Sequence, residues 1–230
     1  MRLLLMSNST NHAEGYLDHC MAEMLSALGR CRQVTFVPFA LHDRVGYGLA
    51  AEKRFAAEGV SVQVLTEDAS GLGLIETSEA FFVGGGNTFR LLDTLQRTGL
   101  LAAMRRQVRA GALYMGASAG SNLAGPTIRT TNDMPIVQPS SFEALRLVPF
   151  QINPHYLDPP ADSTHMGETR EQRLVEYLEE NEGAVVGLRE GAWIRGEGDR
   201  LQLGGAGARI FRRAHEPEER SAGSSFADLS

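Results

Sequence analysis

Residues 113–115 form a short apolar run that leads directly into Gly116-Ala117-Ser118-Ala119-Gly120, and a helix-capable segment follows. A strand that turns sharply into a helix through small residues is the mechanical signature of a nucleophile elbow. The backbone folds back so tightly there that bulky neighbours are excluded. The turn lifts one side chain, Ser118, above the end of a sheet. Backbone N–H groups at the start of the following helix then face any oxyanion that develops beside it, which makes Ala119 a candidate oxyanion donor. A tight turn with a packing serine has the same local pattern, so partners for Ser118 must be sought elsewhere in the chain.

The rest of the first half supplies a sheet for such an elbow. Residues 3–6 are apolar and end in Ser7-Asn8-Ser9-Thr10, which reads as a buried strand entering a loop. Residues 14–28 carry Leu17, Met21, Met24, Leu25 and Leu28 at helical spacing before Gly29. Strands are predicted over 34–37, 60–65 and 80–83, and helices over about 46–58, 88–97 and 100–109. This β-α alternation predicts an α/β fold: a mostly parallel sheet flanked by helices. Ligands bind such sheets at the carboxyl ends of the strands. The second glycine-rich stretch, Gly84-Gly85-Gly86-Asn87, also sits at a strand end. Gly85 and Gly86 could donate N–H groups to an oxyanion, which is the favoured reading over a phosphate cradle because the loop has neither nucleotide-binding glycine pattern.

The second half is organised differently. Residues 126–165 are rich in Pro, Asn, Asp and Thr and read as long ordered loops of the kind that carry function. A helix is predicted over 168–180, with Thr169 and Gln172 as a capping box. Short strands over 184–188, 192–195, 200–203 and 208–211 predict C-terminal β-hairpins. Residues 1–213 read as a single α/β domain and 214–230 as a loose polar tail.

A serine nucleophile needs a base, and the base needs an orienting group. Of the six histidines, His155 in Ile152-Asn153-Pro154-His155-Tyr156 and His165 rank equally on spacing. Glu190, just after a strand and before Gly191, offers a carboxylate at another strand end, where an ordinary solvated turn acid would look the same. The net charge of −6 gives no bulk attraction to nucleic acid or to an anionic membrane. Neither cysteine belongs to a metal or redox motif, no cofactor or metal is expected, and no segment is long and apolar enough to span a bilayer. A cytoplasmic location is the corresponding expectation.

Several blocks taken together resemble the S51 family of serine peptidases, which contains aspartyl dipeptidases and cyanophycinases. They are LLLMSNST, FFVGGGNTFRLL, GALYMGASAGSNLAGPTIRTTNDMPIV, PFQINPHY, GETREQR and LREGAWI. The resemblance implies a fold like that of class I glutamine amidotransferases and a triad of Ser118, His155 and Glu190. It further implies small peptides with amino-terminal aspartate (Asp-Xaa) as substrate, and a homodimer. A substrate aspartate calls for an arginine and its free amine for a carboxylate, so Arg129, Arg170 and Asp133, with Asn87, are the candidate substrate-binding residues. Ala117 and Ser121 depart from the family's usual larger aromatic residue and alanine, which bears on pocket shape. A cyanophycinase-like hydrolase and a non-catalytic anion-binding module built on 84–87 are the alternatives.

Overall fold

The computed structural model describes residues 1–158 and 167–229. In chain order the first half contains β1 (Arg2–Met6), α1 (Met21–Leu28), β2 (Gln33–Val37), α2 (Arg44–Ala56), β3 (Ser61–Val64), α3 (Ala69–Thr77), β4 (Ala80–Val83), α4 (Thr88–Arg97), α5 (Leu100–Arg109), β5 (Leu113–Ala117) and α6 (Ala119–Leu123). The second half contains β6 (Gln151–Tyr156), α7 (Arg170–Glu180), β7 (Ala184–Arg189), β8 (Trp193–Glu197), β9 (Arg200–Gly204), β10 (Ala208–Arg212) and β11 (Glu218–Arg220).

Among the described residues the strands form two sheets. The larger runs β3-β2-β4-β5-β1-β8-β9. Its first five strands are mutually parallel, and β8 and β9 close it as an antiparallel hairpin. The smaller sheet runs β11-β10-β7-β6, with β6 and β7 parallel. The expected α/β architecture with a mostly parallel sheet flanked by helices is therefore the observed one. Along β1, Leu3 and Leu5 enter one core cluster and Leu4 and Met6 the other, on opposite faces of the sheet. Burial on both faces explains why β1, β4 and β5 read as continuous apolar runs without alternation.

The second half needs correction. Residues 184–211 read as short strands, several in hairpins, and β8–β9 and β10–β11 are such hairpins, but they belong to different sheets: β7 pairs with β6 and β10 in the smaller sheet while β8 crosses to pair with β1 in the larger one. Strand β6 lies within the stretch read as loop. Its apolar start is short, and Asn153-Pro154 hides it. The first helix begins at Met21, not near residue 14, because Leu17 sits at φ 63, a left-handed conformation that a helix cannot contain. Helix α3 has no counterpart in the sequence reading: Gly71 and Gly73 weaken its propensity, and Asp68 starts it by accepting from the Ser70 and Gly71 N–H groups.

The tail is not loose through residue 229. Strand β11 pairs with β10, Phe226 is fully buried against Phe150 with ring centroids 5.4 Å apart, and Leu229 is buried. Arg220 and Arg212 both hold Asp228, whose carboxyl is lowered to about 2, chiefly by its hydrogen bonds with Arg220. We expect Phe226→Ala to destabilise the protein by about 3–5 kcal/mol in urea unfolding. A loose tail would leave the midpoint unchanged.

Candidate active site

The parallel register brings three strand ends together. Met6 lies opposite Ala117, and Val83 opposite Gly116, so the residues following β1, β4 and β5 share one edge of the sheet. Ser118 occupies the turn between β5 and α6 at φ 52 and ψ −111, a strained conformation for a residue with a side chain. Its N–H donates to the Met6 carbonyl at 3.1 Å. The flanking glycines are required by close approach: a β-carbon on Gly116 would lie 2.5 Å from the Gly120 carbonyl oxygen, and one on Gly120 would lie 2.2 Å from that of Val83. Ser121 is fully buried and its hydroxyl reaches the Met6 and Gly116 carbonyls at 2.6 and 2.8 Å. Ala117 packs into the core beneath the sheet. Neither of these two departures from the family pattern lines the cavity beside Ser118.

His155 sits near the end of β6, where the register with β7 shifts between Asn153 and Tyr156. Such an irregularity re-aims a side chain, and His155 has φ 53. Its Nε2 lies 2.9 Å from Ser118 Oγ, and its Nδ1 lies 2.6 Å from Glu190 Oε1. An ionised carboxylate only accepts, so Nδ1 carries the hydrogen in the neutral ring and Nε2 is left free to accept from the serine hydroxyl. Glu190 directly follows β7. The preceding residue, Arg189, grips Asp158 through two hydrogen bonds of 2.7 and 2.8 Å and also reaches Glu219 at 2.8 Å, which anchors the strand end. His165 lies outside the described residues.

Of the three oxyanion candidates, Gly86 and Ala119 have N–H groups with no protein acceptor among the described residues. Gly85 stacks directly over Ser118. Burial pushes the pKa of the nearby Tyr47 hydroxyl up, opposed first by Tyr16 and then by the Gly85 N–H. Gly86 has φ +131, and a β-carbon there would meet the Ala40 carbonyl at 2.7 Å, so the loop path depends on glycine.

Ser118 and His155 open onto a cavity of about 410 Å³ walled by Gly86, Thr88, Thr131, Asn132, Asp133, Pro154 and Arg170. A groove of about 500 Å³ between α7 and the β10–β11 turn is larger, but it carries no nucleophile beside its histidine. Size therefore does not locate the chemistry.

Two substrate-binding candidates line the cavity. Arg170, at the first turn of α7 behind the expected Thr169–Gln172 capping box, makes no ion pair among the described residues. Burial, helped by Arg173, draws its pKa below the usual arginine value, and Asp133 opposes this. Asp133 accepts from the Thr88 N–H and hydroxyl at 2.7 and 2.6 Å through Oδ2. Its Oδ1 has no partner among the described residues.

The other two candidates are not among the cavity walls. Asn87 caps α4, accepting from the Arg90 N–H and donating to the Met134 carbonyl, so its amide braces the loop. Arg129 is exposed, stacks on Phe142 and reaches Asn181, away from the cavity walls. Among the described residues no group of three or more His, Cys, Asp or Glu side chains is arranged to hold a metal, and no helix is long and apolar enough to cross a membrane.

A layer of residues behind the site escaped the sequence reading. Asn153 donates to the Thr130 carbonyl and to Asn132 Oδ1, and Asn132 donates to the Pro154 carbonyl, which ties the 130–133 loop to β6. Ser7 and Asn8 belong to the same layer. Their position at the carboxyl end of a central strand was the available signal.

The model of the family described as Peptidase family S51 matches residues 3–204. A Streptomyces coelicolor protein named Peptidase E is 54% identical over 230 residues, covering 100% of this chain and 95% of that one. A Drosophila melanogaster protein named "Probable alpha-aspartyl dipeptidase" is 43% identical over 221 residues, covering 94% of this chain and 92% of that one. The crystal structure of a peptidase from an acI-B1 Actinobacterium superposes with a TM-score of 0.70 over 98% of this chain and 96% of that one, at 16% identity, which is a likeness of fold.

Proposed function

The chain belongs to peptidase family S51 and is a peptidase, and on that footing we propose that it hydrolyses dipeptides with amino-terminal aspartate through an acyl-enzyme on Ser118. The observation that carries this reading is the unbroken chain of contacts from Ser118 Oγ to His155 Nε2 and from His155 Nδ1 to Glu190 Oε1, at an elbow that opens onto a cavity holding one arginine and one carboxylate.

In this mechanism the Ser118 oxygen bonds to the peptide carbonyl carbon while its proton passes to His155 Nε2. Glu190 holds the imidazole and stabilises its cation. The carbonyl oxygen becomes an oxyanion facing the Gly86 and Ala119 N–H groups. One such donor is worth about 10²–10³ in turnover. The carbon–nitrogen bond then breaks, and the proton on His155 goes to the leaving amine. Water attacks the aspartyl ester, gives its proton to His155, and the serine hydroxyl is restored. One water is consumed per peptide bond.

Selectivity rests on Arg170 and Asp133. A partly desolvated guanidinium gains by pairing with a carboxylate in bidentate geometry. Asp133 Oδ1 suits the substrate's free ammonium, with Oδ2 held at the amino end of α4. Arg170→Ala is expected to lower kcat/KM for Asp-Leu by about 10–100-fold, the worth of one charge-assisted hydrogen-bonded pair, and to shrink the preference for Asp-Leu over Ala-Leu. Arg129→Ala should leave both unchanged. An Arg170→Ala variant that still cleaves Asp-Leu normally would remove that residue from the pocket.

Incubation of the protein with Asp-Leu, Ala-Leu and cyanophycin tests the substrate class. Turnover of Asp-Leu alone supports the proposal. Turnover of cyanophycin would make the chain a polymer hydrolase, and turnover of none would leave a binding module.

A further inference from the structure

Three consecutive residues at the carboxyl end of β1 each hold one of the segments that carry Ser118, His155 and Glu190. The Met6 carbonyl accepts the Ser118 N–H at 3.1 Å. The Ser7 hydroxyl accepts the His155 N–H at 2.8 Å and donates to the Leu188 carbonyl at 2.7 Å. Asn8 Oδ1 accepts the Gly191 N–H at 2.8 Å, while its Nδ2 donates to Asn11 Oδ1 and the Thr10 carbonyl. Ser7 and Asn8 are 0% and 1% exposed, and the Ser7–Leu188 bond is buried, while the bonds to the His155 and Gly191 N–H groups are part-buried.

Ser7 has the most to hold. His155 is a non-glycine residue at φ 53, in an irregular stretch where β6 and β7 lose register. A conformation of that kind persists only where the surroundings over-determine it. The Ser7 hydroxyl bonds the main chain of the histidine and the main chain two residues before the glutamate, using its single hydrogen for one and a lone pair for the other. Alanine would take the hydrogen-bond partner from the His155 N–H and from the Leu188 carbonyl at once.

We propose that Ser7 is a positioning residue that sets the distance between His155 and Glu190, with Asn8 fixing the far side of the glutamate. This rests on the triad proposed above. Ser7 touches neither substrate nor reacting atoms. It acts by keeping the imidazole aimed at Ser118, and displacement of a catalytic group by about 1 Å costs on the order of 10²-fold in rate.

The test compares wild type, Ser7→Ala, Ser7→Cys and Ser118→Ala, each checked for folding by circular dichroism. Cysteine nearly keeps the volume of serine while its thiol is a weak donor and acceptor. Both Ser7 variants should lose about 10–100-fold in kcat with KM for Asp-Leu within about twofold. In histidine-labelled protein, the hydrogen-bonded Nδ1 proton resonance of His155 should weaken or move. A packing role alone would lower the melting temperature and leave kcat and that resonance in place, which overturns the proposal. If Ser7→Ala does not fold, Ser7→Cys decides on the same readouts. Wild type decides independently, since a His155 amide bonded to buried Ser7 exchanges slowly with solvent and rapid exchange contradicts the bond. Wild-type kcat in the Ser7 variants beside an inactive Ser118→Ala overturns the positioning role alone. Activity in Ser118→Ala overturns the triad beneath it.

Discussion

Replacing Ser118 with alanine is expected to abolish Asp-Leu hydrolysis, lowering kcat by about 10⁶-fold, while the protein stays folded. The size of the effect follows from what is deleted. The hydroxyl is the atom to which the acyl group would bond, and Ser118 makes no other side-chain hydrogen bond than the one to His155 Nε2 among the described residues. The stability side follows from the same fact. The elbow is built by the Ser118 N–H on Met6, by the close approach of Gly116 and Gly120, and by the Ser121 hydroxyl, none of which involves Ser118 Oγ. Residual catalysis of about 10³–10⁴ over water would remain from the Gly86 and Ala119 donors and from substrate binding. An assay of released leucine, run beside a thermal melt, reads both halves of this expectation.

Replacing His155 with alanine should cost about 10⁴-fold or more in kcat, and the double variant with Ser118→Ala should be no worse than Ser118→Ala alone. That lack of additivity is the mark of groups working as one unit. Without the imidazole the serine proton has no acceptor, and Glu190 cannot substitute because its carboxyl is separated from Ser118 by the width of the ring. The imidazole is 36% exposed, so its removal empties little core and should change stability far less than Phe226→Ala. KM for Asp-Leu should move little, since Arg170 and Asp133 remain. A rise in KM with kcat preserved would assign His155 to binding.

The residues of the candidate site differ sharply in how far the sequence betrayed them. Ser118 was legible because an elbow is a local device: its small neighbours, strand and helix lie within a dozen residues. His155 and Glu190 were legible only as polar residues at strand ends, and bringing them to one place took the parallel pairing of β6 with β7, which nothing local encodes. The resemblance to S51 peptidases selected them before the fold did.

Arg129 and Arg170 looked equivalent because both lie in polar segments. The path of the chain separates them, sending one onto Phe142 and the other, at the start of α7, into the cavity. Asn87 carried the right chemistry for a ligand contact and was spent on capping a helix. Ser7 and Asn8 were read as the end of a strand. The partners that tie them to the His155 and Glu190 segments are more than 140 residues away in the chain, so no window of sequence contains those bonds.

The fold shows the same division. The helices α4 and α5 and the capping box of α7 were legible because propensity, periodicity and capping agree locally. The tail was misread because two apolar residues, Phe226 and Leu229, are too few to give a period, yet both find the core. The assignment of β7 and β8 to different sheets was hidden for a related reason: adjacent short strands suggest a hairpin, and β8 instead pairs with β1, a strand from the start of the chain.

The central claim is that Ser118 is the nucleophile, and covalent labelling addresses it most directly. The protein is treated with a fluorophosphonate, which transfers its phosphonyl group to an activated serine with loss of fluoride, until Asp-Leu hydrolysis stops. The labelled position is then mapped by mass spectrometry. The expected result is one phosphonyl group per chain, on Ser118, appearing in step with the loss of activity. Chains that carry the label on Ser118 and still hydrolyse Asp-Leu, or lose activity through a label elsewhere, would contradict the account.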